Sequence, residues 1–207
     1  MNEKNIELKD IESEIKKDFE IIKFQQTPRV DKITQPLVWL QENKLLCSEF
    51  INFVSSLDNC AGLAANQVKY HGKILNERFF AYKLDKQKFD LVINPIIINT
   101  YGEPVTMLEG CLSWPLETII GSRYLKIDVH YWTDDGTEKE ETITGFKAQV
   151  WQHEMNHLDG IEEKIQERNV PFKRDKPKIG RNDPCPCGAV NSNGKRKKYK
   201  KCCFISG

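Results

Sequence analysis

The chain has 207 residues, 39% of them hydrophobic and 29% charged, with a formal net charge of +1. That length buries a proper core in one ordinary domain with an appendage, and the composition is that of a soluble globular protein. The small net charge hides a division: residues 171–207 hold eleven Lys or Arg against Asp175 and Asp183, a net of +9, which leaves −8 on the first 170. A basic tail on an acidic body points to an anionic contact or to plain solvation.

No stretch reaches the roughly 18–20 apolar residues of a membrane span. The first twenty residues, MNEKNIELKDIESEIKKDFE, are charged throughout and rich in acids, unlike a signal or transit peptide. The expected compartment is the cytoplasm, where thiols stay reduced. The seven cysteines are then candidates for metal ligation, catalysis or burial, and four of them fall in the last 23 residues.

In chain order, Ile6, Ile11, Ile15, Phe19 and Ile22 sit near helical spacing and predict an opening helix. Residues 44–57 place Leu46, Phe50, Phe53, Val54 and Leu57 on one stripe of a second helix. LVINPIII (91–98) has the pattern of a buried strand, with Pro95 at an edge or bulge. LKIDVHYW (125–132) alternates, and the DDG that follows predicts a hairpin. KAQVWQHEMNHLDGI reads as a helix that stops at Gly160. Strands before a late helix predict an α+β domain. The expected boundaries are a body over 1–170, a charged linker over 171–179 and a small module over 180–207, with no internal repeat. Trp39, Trp132 and Trp151 are assigned to core or edge packing, Cys47 and Cys60 to burial, His71 to a loop and His130 to a solvent-facing strand position.

Within WQHEMNHLDG (151–160), His153 and His157 lie four residues apart, so a helix presents both imidazoles to one ion. Glu154 then projects beside them toward a water, which is the physical content of an HExxH pattern. The plain alternative is a solvent-facing histidine pair. A catalytic site usually takes three protein ligands and leaves one position open. Glu162, Glu163 and Glu167 are available downstream, but Cys111 in EGCLSWP (109–115) is the better third ligand, although a lone cysteine is more often simply buried.

Three blocks in order, GLAANQV (62–68), EGCLSW (109–114) and QHEMNHLDG (152–160), resemble the signature motifs of peptide deformylases. VINPIII and GFKAQVWQHE extend the resemblance, which covers about residues 20–168. It implies antiparallel sheets packed around a central HExxH helix. It implies Cys111, His153 and His157 as ligands of a divalent metal, with Fe2+ the expected ion for activity and Zn2+, Ni2+ or Co2+ accepted. Glu154 would take a proton from water in the fourth position, and the Gln67 side chain and the Leu112 backbone N–H would face the developing oxyanion. Gly62, Leu63 and Ala64 would form the strand on which the peptide lies. Glu109, grouped with that stretch, is expected to orient its neighbours rather than to catalyse. The implied substrates are N-formylmethionyl nascent polypeptides, cleaved to formate and a free N-terminal methionine.

The sequence departs from the family pattern at Cys60, where a glycine is usual, at Trp114, where a smaller aliphatic is usual, and at Asn156, where Asp is usual. No arginine stands near Leu116 to Thr118, where many members place one. A metallohydrolase of other acyl or peptide specificity, and a weakened fold kept as a binding protein, are the competing readings. The intact Gln67, Cys111, His153, Glu154 and His157 weigh against the second of these.

The tail, GRNDPCPCGAVNSNGKRKKYKKCC, resembles the SEC-C motif, a small zinc-binding module. The resemblance implies a structural Zn2+ on Cys185, Cys187, Cys202 and Cys203, a zinc-knuckle without which so short a segment hardly folds. AVNSNG makes the loop between its halves longer than usual, at a cost of only tenths of a kcal/mol for a flexible insertion. KRKKYKK (195–201) sets six cations around one tyrosine, which suits phosphate contacts with ribosomal RNA or docking near the nascent-chain exit. A solvated basic hairpin is the plain alternative.

Overall fold

In the computed structural model, residues 18–23, 25, 27–83, 88–161, 165–167 and 178–204 are described. Most of the predicted opening helix, and residues 171–177 of the predicted linker, lie outside them. Of the opening segment, Asp18 is helical and Phe19–Ile21 is a strand, β1, so the residues at the end of the predicted stripe are not part of a helix. Phe19 packs on Phe50, Phe53 and Tyr70, with ring centroids 6.1, 4.9 and 4.7 Å away. At Phe19, long-range packing therefore overrides the local helical spacing.

Two helices follow, α1 (Pro36–Glu42) and α2 (Lys44–Ser55). The sequence reading anticipated α2, which buries Cys47, Phe50, Phe53 and Val54. It did not anticipate α1, whose one local signal is Pro36 in the first turn. Then come β2 (Gly62–Ala64), a single 3-10 turn (Ala65–Gln67), β3 (Val68–Tyr70), β4 (Lys73–Ile74), β5 (Phe79–Lys83) and β6 (Phe89–Thr100). The second half supplies β7 (Val105–Cys111), β8 (Trp114–Arg123), β9 (Lys126–Trp132), β10 (Glu138–Thr144), the helix α3 (Gly145–Leu158) and β11 (Ile165–Glu167).

The strands form three antiparallel sheets, in the orders β1-β3-β4, β10-β9-β6-β5-β2 and β11-β8-β7. Around β5 and the first half of β6 the five-stranded sheet is buried on both faces. Phe79, Ala81, Leu91 and Ile93 join the core with α2, while Phe80, Tyr82 and Val92 join the core with α3. Two buried faces explain why FFAY and LVIN are continuous apolar runs rather than alternating ones. The predicted hairpin is present as β9 and β10, turned through Gly136 at φ 82°. Pro95 sits at the register shift between Ile93 and Ile96 of β6, a bulge where its missing N–H leaves no ladder bond unmade. Asn94 beside it takes φ 51° and clamps Ile33 through both of that residue's backbone groups, each at 2.8 Å.

Helix α3 is locked in by Trp151, which is fully buried with Phe80, Tyr82 and Tyr131 around it at 5.0, 5.7 and 5.0 Å in edge-to-face contacts. Each such pair adds about 0.5–1.5 kcal/mol beyond area burial. The helix ends at Leu158, and Gly160 at φ 63° supplies the predicted stop. Its C-terminal Asp159 pairs with the buried Arg78 at 2.7 Å.

The C-terminal segment is described from Lys178. Isolated antiparallel bridges, Pro184 with Lys198 and Val190 with Arg196, fold it on itself. Its cysteines do not face solvent: Cys185, Cys187 and Cys203 share a buried cluster with Leu125 of the body, flanked by Val105 and Met107.

Candidate active site

Two structural routes bring the three HExxH-associated ligand candidates together. Helix α3 places His153 and His157 one turn apart, and the end of β7 brings in Cys111. Cys111 Sγ lies 3.4 Å from His157 Nε2, which is 3.3 Å from His153 Nε2. The three donor atoms all fall within 4.8 Å of one another, and all three residues are buried. A thiol and two imidazoles converging without intervening atoms is a donor set that fits a divalent ion of borderline softness.

The outer nitrogens of both rings are engaged, which fixes their orientation. Glu109 Oε2 is 2.8 Å from His153 Nδ1. A carboxylate only accepts, so Nδ1 carries the hydrogen. Burial alone would raise the Glu109 carboxyl, but hydrogen bonds from His153 and Arg123 outweigh it and lower it to about 2. Arg123 makes a two-pronged contact with that carboxylate, Nε at 2.9 Å and Nη2 at 2.7 Å. Gly121 leaves room for the pair, since a Cβ there would lie 2.8 Å from Arg123 and 2.9 Å from Glu109. His157 is held otherwise. Thr27 Oγ1 is 3.4 Å from its Nδ1, and its carbonyl accepts from Thr27 Oγ1 at 2.9 Å and from Asn66 Nδ2 at 2.6 Å. Burial, then the neighbouring His153, keep His157 well below the usual imidazole range, so it stays neutral.

Glu154 is almost fully buried, and its Oε2 has no hydrogen-bond partner among the described residues. A buried carboxylate oxygen without a partner is costly, and at the mouth of a ligand cluster it marks where a proton-bearing group belongs. Burial pushes this carboxyl up to about 7, against the pull of His153. Gly62 fits against it closely: a Cβ there would stand 2.7 Å from Glu154 Oε1 and 2.8 Å from Val150 Cγ1. The glycine of the first motif thus makes room for the acid of the third.

The remaining predicted residues surround a cavity of about 450 Å³ lined by Cys60, Ala61, Gly62, Gln67, Leu108, Leu112, Phe146, Val150 and Glu154 among others. Gln67 is buried, its Nε2 3.0 Å from Ser113 Oγ and 3.5 Å from Cys111 Sγ, while its Oε1 accepts from the Ala64 N–H at 2.9 Å. Leu112 lies in the turn between β7 and β8 and borders the cavity. The side chains of Leu63 and Ala64 go into the two cores and are fully buried, which leaves only their main chain for a ligand. Among the described residues their strand β2 ends its sheet, paired on one side alone, with β5. Cys60 is buried too, and its Sγ donates to the Gly62 carbonyl at 3.3 Å. Glu162 and Glu163 lie outside the described residues.

Arg123 and Thr27 are part of this arrangement without any local motif to point to them, whereas Ser113 lies inside EGCLSW. Arg123 becomes a partner of Glu109 only through the β7–β8 pairing, and Thr27 stands 130 residues from His157 in the chain. Asn66, inside GLAANQ, did carry a signal: a polar residue between small ones in a motif.

In the tail, Cys185, Cys187, Cys202 and Cys203 bring four sulfurs within 4.8 Å of one another, with Cys187 Sγ 3.4 Å from those of Cys185 and Cys202. Four thiols in that closeness, with three of the residues buried and no disulfide among them, fit one tetrahedral ion.

The family model described as polypeptide deformylase matches residues 19–169. The peptide deformylase of Thermotoga maritima is 34% identical over 148 residues, covering 71% of this chain and 85% of that protein. The crystal structure of peptide deformylase from Thermotoga maritima aligns with a TM-score of 0.59 at 31% identity, over 69% of this chain and 92% of that one. The PDF of the Vibrio parahaemolyticus bacteriophage VP16T, solved in complex with actinonin, aligns with a TM-score of 0.57 at 26% identity, over 69% and 98%. With three motifs, the sheet arrangement around α3 and these relatives in agreement, the chain belongs to the peptide deformylase family.

Proposed function

We propose that the chain hydrolyses the formamide of N-formylmethionyl polypeptides, releasing formate and a free amino terminus. The observation that carries this reading is the unpartnered Glu154 Oε2 buried beside the convergent Cys111, His153 and His157. A divalent metal on those three residues, which we take to be iron, supplies Lewis acidity toward the formyl oxygen and makes a nucleophile of water at neutral pH.

The chain's own groups do the rest. Glu154 accepts the proton of the attacking water at Oε2 and returns it to the nitrogen of the leaving amine, so one carboxyl serves as base and then acid. A carboxyl held near 7 by burial is poised for both tasks. The Gln67 amide, fixed through its oxygen by the Ala64 N–H, directs its Nε2 hydrogens toward the cluster, and the Leu112 N–H is the second donor for the developing oxyanion. The free edge of β2 pairs with the peptide main chain as an added strand. The methionine side chain enters between Leu108, Phe146 and Val150.

Protein purified without oxygen and loaded with iron or nickel should release formate from a formyl-methionyl peptide. Glu154→Ala should slow this by about 10²–10⁴-fold, the usual share of a positioned acid–base group. A correctly metallated wild type that releases no formate would turn the assignment toward other acyl groups.

For the tail, we read the four cysteines as a zinc site and the exposed Lys195, Arg196, Lys197, Lys198, Lys200 and Lys201 as a contact for ribosomal RNA phosphates. Co-sedimentation with ribosomes should fall in a Lys197→Glu, Lys198→Glu variant and with rising salt; unchanged pelleting sinks the idea. Among the described residues no helix is long and apolar enough to cross a membrane.

A further inference from the structure

The four-cysteine segment is not a tethered accessory. Its cysteines pack on Leu125, only 1% exposed, with Val105, Met107, Ile179, Ala189 and Tyr199 around them. The main chain comes as close as the side chains do. At Gly102 (φ 74°) a Cβ would lie 1.9 Å from the Pro186 carbonyl oxygen and 2.9 Å from Cys187 Cα, so the loop before β7 is shaped to receive the module.

The body residues that receive it belong to the framework of the candidate active site. Val105 and Met107 alternate along β7 with the same periodicity that brings Glu109 to the His153 ring, and β7 ends at Cys111. Three consecutive residues then form a junction. Arg123 grips Glu109. The Tyr124 N–H donates to Gln152 Oε1 of α3, and its carbonyl accepts from Gln152 Nε2, at 2.9 and 2.8 Å. Leu125 turns its side chain into the cysteine cluster, while its carbonyl accepts the Gly145 N–H at the start of α3 at 2.8 Å.

We propose that the C-terminal four-cysteine module buttresses the catalytic centre: docked on Val105, Met107 and Leu125, it fixes the β7–β8 hairpin and its junction with α3, and thereby the ligand set Cys111, His153 and His157. An ion on the four cysteines and the docking contact together order so short a stretch, so the state of the tail cysteines controls how firmly the active-site metal is held. The second clause rests on the metal-ligand reading above; the docking itself does not.

The test uses the full chain in three forms: wild type, Cys203→Ser, which removes a tail ligand, and Ile179→Asp, which leaves all four thiols but puts a charge into the contact. Amide hydrogen exchange is followed along the chain, together with the rate at which nickel, loaded at the catalytic site, passes to excess EDTA. Both variants should exchange about tenfold faster across 105–111 and 121–125 and lose nickel several-fold faster, with the β1-β3-β4 sheet unchanged. Wild-type rates in both variants would overturn the proposal. Loosening in Cys203→Ser alone would also overturn it, because the contact would then carry nothing. A wild type that never retains nickel would sink the ligand reading instead, leaving the exchange data to judge the buttress.

Discussion

Two clusters in this chain bring candidate metal ligands together, and they do so in opposite ways. The tail cluster is closed: four sulfurs come from a stretch of nineteen positions, Cys185 to Cys203. The body cluster is open: it offers three donors, and an acid with a free oxygen stands beside the direction they leave unfilled. Four protein ligands stabilise a fold, whereas three leave room for chemistry. The clusters also differ in how they are held. The tail donors lie on one short segment, while the body donors are oriented by Glu109, Arg123, Thr27 and Asn66.

The sharpest way to break the comparison is to delete one ligand from each cluster. Cys111→Ala should abolish formate release, by at least about 10³-fold once Lewis acidity is lost, and remove one metal equivalent while the melting temperature changes little. Cys203→Ala should remove the other equivalent and lower the melting temperature by several degrees, with turnover of freshly metallated enzyme kept within a few-fold. If the two variants behave alike in activity and melting, the distinction between an open and a closed site is wrong.

A smaller effect probes how tightly the open site is framed. Gly62→Ala places a methyl 2.7 Å from Glu154 Oε1 and so must displace the carboxylate. A shift near 1 Å costs about 10²-fold in turnover, and the metal content should stay at the wild-type level. A Gly62→Ala enzyme with normal kcat would show that Glu154 is not held where the reading needs it.

The smallest effect concerns the peptide edge. Cys60 Sγ donates to the Gly62 carbonyl, on the strand proposed to receive the peptide. Cys60→Gly removes that competitor and should lower KM about two- to fivefold with kcat unchanged, because a weak thiol donor is worth well under a full hydrogen bond. A raised KM would mean that the thiol supports the edge instead of occupying it.

Much of the site was legible before any coordinates. His153 and His157 lie four residues apart on one helical face with Glu154 beside them, as helical geometry alone requires, and the cysteine pairs of the tail declare themselves by crowding. The α+β class, α2, the β9–β10 hairpin, the bulge at Pro95 and the stop at Gly160 also follow from local pattern. The opening stretch shows the limit. The spacing of its apolar residues suits a helix, yet Phe19–Ile21 pairs with β3, because the aromatic pocket of Phe50, Phe53 and Tyr70 lies far off in sequence. Residues 162–164 and 168–177, where the body was expected to pass into the linker, lie outside the described residues.

The sequence by itself determined which side chains are candidates for chemistry, since their types and spacings are local facts: two histidines one turn apart with an acid beside them, a cysteine in EGCLS, four cysteines in a basic tail. Only the tertiary structure decided what surrounds them. Arg123 meets Glu109 through strand register, Gly62 yields its side chain to Glu154, and the tail comes to rest on Leu125 instead of standing free. Each of these depends on contacts between residues distant in the chain, whose closure is set by the packing of the whole core and is not written in any short window of sequence.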